Sequence, residues 1–517
     1  MTASEYAITQ YFYDVNGNRI RVIDPEGHST VSTYNLLDQL EAVTDPAGNI
    51  TQYLRETCGC CAAAWVTDPR GNTTYTKYDE LKRVKFVRTP QNNITTAYIY
   101  DKAGRTVQVI GPWYDANQNG DADDADAADV RYTEYDKANR VTRTRVNNHP
   151  ATEYSYNATG NVTSVTDPVL VVTASEYDNE NRLAQTTVDA APGGLQEKTR
   201  LVYDKAGRQK EVIQAYLSGL DTTTYSFYDN GSRVITSYTG SSLYALSYSY
   251  NKRGQQTSVT DAEGNTTQSI YDKGGRLIGT QDARLKTVSY GYDKDGLRTK
   301  VTYKRSDSGS DIDTTYTYYR NHLLESTTYP GFSGNNTSWN YYDANGNLTS
   351  KTDAKGQTIS YQYDLNNRLT GKLADQQTTY TYDASSNLLT TLDSNTNTIN
   401  EYDDLNRLTV ITDSTYTPAK LIQYTYYEDG TRSSMLAPEG NNIGYTYDKA
   451  KRLLIVTRNS APEATYQYNA LGLRIRLTYG NGASAVYAYD NVTRWLTGVY
   501  NYKADGITIV SSFVYTH

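Results

Sequence analysis

The sequence is poor in the residues that usually fill a protein core. Among 517 residues there are only 5 phenylalanines, 2 methionines and 4 tryptophans, and the mean hydropathy is −0.70. Compact cores are built mainly from Leu, Ile, Val and Phe, so this composition argues against a compact apolar domain. No apolar run approaches the roughly 18 residues that a membrane helix needs, and the sequence therefore predicts no membrane span.

Cysteine is also scarce. The three cysteines are clustered at Cys58, Cys60 and Cys61, which excludes a disulfide framework for a chain of this length. Structural zinc sites use about four ligands, and only these three thiols lie close together in the sequence. We interpret them as small buried thiols on one strand, with metal binding or redox sensing as the alternative.

The balance of charge excludes a further class of partner. Lysine and arginine number 50 against 58 aspartates and glutamates, a formal net charge of −8, and no basic patch is present. Such a chain is a poor nucleic-acid binder. Residues 1–15 lack the charged start and apolar stretch of a signal peptide. Because the chain begins and ends in repeat-like sequence, we expect a fragment of a longer protein that is extracellular or at the cell surface, exported by a signal elsewhere.

Catalytic motifs are missing as well. No G-x-S-x-G, H-E-x-x-H or P-loop pattern occurs. The recurring aspartates are better interpreted as turn formers than as the paired carboxylates of a glycosidase. Four histidines are expected to sit alone in different contexts: His28, His149, His322 and His517. The sequence therefore predicts that the chain is not an enzyme.

Tyrosine, in contrast, is abundant, with 52 copies. Tyr-Asp or Tyr-Asn pairs recur 21 residues apart in several runs, for example at Tyr135, Tyr156 and Tyr177. We count about 22 repeats between Tyr13 and Tyr489, and a period of about 20–25 residues over a whole chain indicates a repeat architecture.

Each repeat has two halves that end in turn-forming residues. The first half follows the pattern Y-x-Y-D-x-x-G-R-L, as at residues 98–105 and 445–453. The second half, which begins 11 residues after the key tyrosine, follows the pattern D-x-x-G, as at residues 24–27 and 45–48. Asp starts an Asx turn, and Gly or Asn accepts a positive φ. Stretches of about six residues rich in Tyr, Thr, Val and Ile lie between the turns and are typical of β-strands.

These features predict an all-β fold. With two strands in each repeat the chain would hold about 44 strands, and at about 4.8 Å per strand one sheet would run roughly 210 Å. A single closed ring of that length is too wide for side chains to fill. We therefore expect a long antiparallel β-sheet that spirals around a hollow, with a parallel β-solenoid or a filament as alternatives. The two rings of Y-x-Y share one face, and we expect them to form tyrosine ladders across repeats.

The pattern Y-D-x-x-G-R-L followed by D-x-x-G-N resembles the YD repeat of the Rhs family. That family includes bacterial polymorphic toxins, the shell proteins of insecticidal toxin complexes and the animal teneurins. Because the resemblance covers nearly the whole chain, we interpret residues 1–517 as one continuous repeat array. The resemblance implies a hollow shell that sequesters a toxic C-terminal domain, or part of an adhesion receptor. The core segment and self-cleavage site of Rhs shells do not appear before the last residue, so no cleavage residues are assigned.

One acidic insertion interrupts the array at residues 111–131. The interval from Tyr100 to Tyr135 is 35 residues and contains the pattern D-x-N-x-N-G-x-x-x-x-x-D. Oxygen ligands at these spacings, with glycine at the sixth position, are typical of a Ca²⁺ loop, although the twelfth residue is Asp rather than Glu. The alternative is a solvated acidic loop. The candidate Ca²⁺ ligands are Asp115, Asn117, Asn119, Asp121, Asp123 and Asp126.

Two functions are compatible with these features. The first is a non-enzymatic β-scaffold that forms a shell and encapsulates or displays a C-terminal payload, such as a toxin domain, encoded beyond this fragment. The second is an extracellular or cell-surface structural or adhesion protein, a fibre or adhesin, whose partner is a cell-surface molecule or another copy of itself. Tyrosine with Asp and Asn also suits glycan binding, and calcium would order the insertion in either case.

Overall fold

The computed structural model divides into two compact units. Unit 1 contains residues 1–130 and 267–398, and unit 2 contains residues 131–266 and 399–517. Each unit is therefore built from two separate stretches of the chain. The residues described are 7–55, 64–115, 118, 129–191, 194–216, 218–304, 310–331, 336–491 and 493–515.

Over these residues the structure has 45 β-strands and a short 3₁₀ turn at Ser242–Tyr244, and it has no α-helix. The strands up to residue 130 are β1 (Gln10–Tyr13), β2 (Arg19–Ile23), β3 (Ser29–Tyr34), β4 (Leu40–Thr44), β5 (Ile50–Leu54), β6 (Trp65–Thr67), β7 (Thr73–Tyr78), β8 (Val84–Arg88), β9 (Ile94–Tyr100) and β10 (Thr106–Tyr114). Those of the next stretch are β11 (Val130–Tyr135), β12 (Val141–Val146), β13 (Thr152–Tyr156), β14 (Val162–Thr166), β15 (Val172–Tyr177), β16 (Leu183–Val188), β17 (Glu197–Tyr203), β18 (Gln209–Gln214), β19 (Thr222–Tyr228), β20 (Val234–Thr239), β21 (Leu246–Tyr250) and β22 (Gln256–Thr260).

The second half of the chain continues in the same way. Its first stretch holds β23 (Thr266–Tyr271), β24 (Leu277–Gln281), β25 (Thr287–Tyr292), β26 (Arg298–Tyr303), β27 (Ile312–Tyr318), β28 (Leu324–Thr328), β29 (Thr337–Tyr342), β30 (Leu348–Thr352), β31 (Thr358–Tyr363), β32 (Leu369–Leu373), β33 (Gln377–Tyr382), β34 (Leu388–Leu392) and β35 (Asn397–Tyr402). The last stretch holds β36 (Leu408–Asp413), β37 (Lys420–Tyr426), β38 (Arg432–Leu436), β39 (Asn442–Tyr447), β40 (Leu453–Arg458), β41 (Ala461–Tyr468), β42 (Arg474–Tyr479), β43 (Ser484–Tyr489), β44 (Leu496–Tyr502) and β45 (Ile509–Val514).

Within each unit, consecutive strands pair through short turns. Every strand pair described inside the two units is antiparallel, as for β1 with β2 and β41 with β42. The predicted all-β, antiparallel fold is therefore confirmed, and the parallel β-solenoid alternative is wrong for these residues. The reason is the spacing of the turns, because a turn after every strand of about six residues allows only hairpin connections.

The first half of each repeat ends in a bulged hairpin turn. In the turn after Tyr100, Oδ1 of Asp101 accepts hydrogen bonds from the backbone N–H of Ala103 at 2.9 Å and of Arg105 at 3.0 Å. Gly104 adopts a φ of 83°, which explains the glycine or asparagine at this position. Strand register shifts at the motif tyrosine, as between Ser155 and Tyr156, so the tyrosine marks a β-bulge.

The arginine of the motif joins one repeat to the next. Arg83 Nε donates to Oδ2 of Asp79 at 2.7 Å, and its guanidinium lies 4.3 Å from the ring centroid of Tyr100. The Tyr100 hydroxyl donates to the Val84 carbonyl at 2.8 Å. Burial raises the pKa of Tyr100. Arg83 thus links its own turn to the next motif tyrosine. Direct ring contacts between neighbouring repeats also occur, between Tyr319 and Tyr342 and between Tyr427 and Tyr447, with centroids 6.1 and 6.4 Å apart. A tyrosine ladder along the whole array stays a prediction.

Fully buried apolar residues are few. Unit 1 has a small core of Phe86, Ala97, Ile110 and Trp113, whereas most strand residues elsewhere are half-buried. This distribution agrees with the low content of core-forming residues. In the described part of the chain, no helix has the length and hydrophobicity needed to cross a bilayer.

Candidate functional site

The predicted calcium loop is represented in the described residues by its first ligand. The carboxylate of Asp115 is fully buried. Its Oδ2 lies 3.0 Å from Arg88 Nη2 and accepts a hydrogen bond from Thr95 Oγ1 at 3.1 Å. The other candidate ligands lie outside the described residues: Asn117, Asn119, Asp121, Asp123 and Asp126. Calcium binding therefore stays a prediction.

The interpretation of the cysteine cluster also stays a prediction. Cys58, Cys60 and Cys61 all lie outside the described residues, as does His517.

The three histidines among the described residues are not isolated, contrary to the sequence prediction. His28 and His322 lie side by side in unit 1, with ring centroids 6.2 Å apart and an interplanar angle of 63°. His149 contacts two carboxylates in unit 2. The prediction failed because each histidine occupies a turn, and the turns of one stretch of each unit contact turns of its other stretch.

Two aspartates and two histidines form what we call the histidine junction of unit 1. Asp24 and His28 belong to the turn between β2 and β3, Asp295 to the turn after β25, and His322 to the turn after β27. His28 Nδ1 lies 3.1 Å from Asp24 Oδ2 and 3.6 Å from Asp295 Oδ2. His322 Nε2 lies 3.3 Å from Asp24 Oδ2 and 3.1 Å from Asp295 Oδ2. All four ligand atoms are within 4.8 Å of one another.

Backbone hydrogen bonds orient both carboxylates of the histidine junction. The His28 N–H donates to Asp24 Oδ1 at 2.7 Å, and the Glu26 N–H donates to Asp295 Oδ1 at 3.1 Å. In each carboxylate the second oxygen, Oδ2, is therefore left to face the histidines. His322 takes the glycine position of its turn with a φ of 67°, which places its ring toward both aspartates.

An equivalent set of four positions forms the amide junction of unit 1: Asp68, Asn72, Asn345 and Asn367. Asp68 Oδ2 accepts from Asn72 Nδ2 at 3.1 Å and from Asn345 Nδ2 at 2.6 Å. Asn345 Nδ2 also donates to Asn367 Oδ1 at 3.0 Å. The Arg70 N–H donates to Asn345 Oδ1 at 3.2 Å, which matches the bond from Glu26 to Asp295. One carboxylate is here satisfied by amide donors alone.

A third set forms the lysine junction of unit 2: Asp167, Val171, Asp429 and Lys451. Lys451 Nζ lies 3.8 Å from Asp167 Oδ2 and 3.4 Å from Asp429 Oδ2, and Lys451 has a φ of 62°. Burial raises the pKa of Asp429, but hydrogen bonds from Thr431 and the Lys451 ammonium outweigh burial and lower it. One ammonium group here lies near two aspartates and offsets part of their charge.

His149 forms a different contact in unit 2. Its Nε2 lies 2.8 Å from Asp404 Oδ1 and its Nδ1 lies 2.9 Å from Glu428 Oε2. The hydrogen bonds to Asp404 and Glu428 raise the pKa of His149. Because both ring nitrogens contact carboxylates, the protonated imidazolium, which donates from both nitrogens, suits this site.

These sites have in common that they join distant parts of the chain within one unit. The residues that they connect are 255 to 298 positions apart in the sequence. Chemically, they offer ion pairing, hydrogen bonding and, at the histidine junction, a set of metal-ligating atoms. The arrangement serves cohesion between turns.

Comparison with known families gives one match. The RHS Repeat model matches the chain at residues 13–50, 135–170, 156–194, 250–287 and 342–375. These segments lie in both units, and each contains Tyr-Asp or Tyr-Asn pairs of the kind around which the bulged turns are built. No curated protein matches the chain.

Among solved structures, similar chains come from Tc toxin assemblies. The crystal structure of TcdB2-TccC3 is 14% identical with a TM-score of 0.41, and the match covers 98% of this chain and 34% of that chain. The crystal structure of TcdB2-TccC3-Cdc42 is 14% identical with a TM-score of 0.42, and the match covers 98% of this chain and 36% of that chain. The structure of a Photorhabdus luminescens Tc holotoxin pore is 14% identical with a TM-score of 0.36, and the match covers 95% of this chain and 35% of that chain. The chain spans about a third of the length of these structural relatives.

Proposed function

We propose that this chain, which belongs to the YD/Rhs-repeat family, is a non-enzymatic scaffold that forms part of a shell around a payload. Its long antiparallel sheet would spiral around a hollow, and the payload would be a toxin domain encoded elsewhere in the longer protein. The shell would act outside the producing cell or at its surface. Its mechanism would be containment, in which the payload is kept away from other molecules until the shell opens.

The observation that carries the proposal is the contact between distant turns inside each unit. In unit 1, turns of the first stretch contact turns 267 to 298 residues later. In unit 2 the separation is 255 to 279 residues for the His149 contacts with Asp404 and Glu428. Within each unit, contacts between hairpin turns at such similar separations are what a sheet that coils with a nearly constant number of residues per revolution would produce.

The absence of catalysis is part of the same proposal. His149 has both ring nitrogens against carboxylates, which leaves neither nitrogen available as a general base for a nucleophile. His28 and His322 each direct one ring nitrogen toward two carboxylates, and this arrangement suits cohesion between turns.

Electron microscopy of the purified chain tests the shell. Class averages that show a closed particle with an empty interior are the expected result. A solid rod or a polymerised filament would overturn encapsulation by this chain and would favour the alternative of a structural or adhesive fibre.

We also propose that the insertion at residues 111–131 binds Ca²⁺ and becomes ordered by it. The Asp115 carboxylate already contacts Arg88, so calcium would have to engage its remaining coordination positions. Calorimetric titration with Ca²⁺ tests this, with Asp126→Ala as a variant at the far end of the loop. No heat with the unsubstituted chain, or the same heat with D126A, would overturn the proposal.

A further inference from the structure

The histidine junction has the composition of a metal site. We propose that Asp24, His28, Asp295 and His322 bind a divalent transition-metal ion, for which Zn²⁺ is the best match, and that this ion fastens the two stretches of unit 1 to each other. The inference does not depend on the proposed payload or on a hollow particle.

The first argument is the distance between ligand atoms. Zinc binds imidazole nitrogen and carboxylate oxygen at about 2.0–2.2 Å in a tetrahedral arrangement, which requires ligand atoms about 3.3–3.5 Å apart. The four nitrogen–oxygen separations in the junction run from 3.1 to 3.6 Å. The imidazoles of His28 and His322 each face both carboxylates, and all four ligand atoms lie within 4.8 Å of one another, so they can converge on one ion.

The second argument is the way the ligands are held. Backbone N–H groups of His28 and Glu26 bind Oδ1 of Asp24 and of Asp295, and such bonds to the second oxygen orient ligating carboxylates in metal sites. The Asp295 side chain is only 4% exposed. A carboxylate held so far from water needs a nearby positive charge, and a metal ion would supply it.

The third argument comes from the equivalent junctions. Where two aspartates occupy these positions in unit 2, the Lys451 ammonium lies near both of them. Where only Asp68 is charged, the other three positions are asparagines. The histidine junction has two aspartates like the first case, but its other two positions carry neutral metal ligands. Imidazole favours Zn²⁺, Cu²⁺ and Ni²⁺ over Ca²⁺ and Mg²⁺, which excludes the hard cations.

The competing explanation is that His28 and His322 are protonated and form ordinary ion pairs. The two explanations differ in their dependence on metal and on acid. A metal site binds Zn²⁺ and loses it as pH falls, because the ligands must be deprotonated. An ion-pair site is insensitive to Zn²⁺ and is strengthened by acid.

The test uses the full chain with Cys58, Cys60 and Cys61 replaced by serine, freed of metal by a chelator. Isothermal titration with Zn²⁺ is compared with that of H28N/D295N/H322N, which reproduces the residues of the amide junction and should therefore fold. We expect equimolar Zn²⁺ binding in the parent chain, a loss of at least about a hundredfold in affinity in the triple variant, and a Zn²⁺-dependent rise in Tm of the parent only.

Two further variants keep the result decisive. H149N, at the histidine of unit 2, should bind Zn²⁺ like the parent, and H322N alone should weaken binding at least about tenfold. No Zn²⁺ binding by the parent, or equal binding by the parent and the triple variant, would overturn the proposal, as would a loss of binding in H149N alone.

Discussion

The histidine junction and the amide junction occupy equivalent turns of unit 1 but satisfy their charges differently. The amide junction has one carboxylate, Asp68, which accepts two hydrogen bonds from asparagine amides. The histidine junction has two carboxylates, Asp24 and Asp295, and no amide among its four residues. The comparison teaches that the backbone of the repeat fixes where side chains meet, while the residue types decide how the charges there are satisfied.

The most demanding way to test this comparison is to convert one junction into the other. In a chain that carries H28N/D295N/H322N, the substitutions N72H/N345D/N367H rebuild the histidine junction around Asp68. We expect a gain of at least about a hundredfold in Zn²⁺ affinity, about 2.7 kcal/mol, because the backbone positions match and His accepts the φ of 62° at Asn367. If the substituted chain folds but calorimetric titration shows no gain in Zn²⁺ affinity, the two junctions are not equivalent.

A second test asks whether the turn that carries Asn367 of the amide junction depends on its own arginine. Arg368 Nε donates to Asp364 Oδ2 at 2.7 Å and its Nη1 donates to the Asp383 carbonyl at 2.8 Å, with side-chain exposures of 14% for Arg368 and 8% for Asp364. R368A should lower the free energy of local opening by about 2 kcal/mol, because it leaves a nearly buried carboxylate without its cation. Native-state hydrogen exchange of β33 measures this change.

The matched control is R276A. Arg276 makes the same contact with Asp272 at 2.7 Å but is 41% exposed, so solvent screens the pair and the cost should stay below about 1 kcal/mol. Equal costs at both positions would show that burial does not govern these turns.

A third test removes the cation of the lysine junction. K451M keeps the aliphatic stem but leaves Asp167 and Asp429 close together without the ammonium. We expect a destabilisation of about 1 kcal/mol, since the lysine is partly exposed, and a relief of that loss at acid pH as Asp429, whose pKa Lys451 helps to lower, becomes protonated. Hydrogen exchange of β15 and β38 reports it, with K449M, an exposed lysine of the same turn, as the control that should change nothing.

The smallest expected effect is the pH dependence of His149. Its pKa is raised by Asp404 and Glu428, so the contribution to stability is fully present below the usual pKa of about 6.5 and is lost as pH rises through the raised value. The contribution of the His149 contact to stability should stay below about 1 kcal/mol, because both carboxylates are more than a third exposed. Hydrogen exchange of the backbone N–H of residue 149, corrected for its intrinsic rate, should accelerate at high pH in the unsubstituted chain. In H149N the corrected exchange rate should not depend on pH.

This last response also sharpens the comparison between the two kinds of histidine site. A Zn²⁺-loaded histidine junction should weaken toward acid pH, whereas the His149 contact should weaken toward alkaline pH. The same sign at both sites would argue that His28 and His322 act as an ion pair.

The repeat pattern predicted the fold well, for a local reason. Residues such as Asp101, Gly104 and Arg105 bond within their own turn, so their chemistry can be read from a short segment. The junctions could not be predicted in this way, because each one joins turns that are far apart in the sequence. A usable signal was nevertheless present. His28 stands where asparagine recurs in other repeats, as at Asn49, Asn72, Asn265 and Asn441, and His322 stands where most repeats have glycine or asparagine.

By itself, the sequence determined that the chain is all-β, favoured antiparallel over parallel strands and placed a turn-forming Asp or Asn at most of the turns, because spacing and turn chemistry act over fewer than about ten residues. Only the tertiary structure decided that Asp24 and His28 meet Asp295 and His322, because that contact depends on how two stretches of unit 1 come together. A register different by one repeat would have paired other turns, and no local pattern specifies which of them face each other.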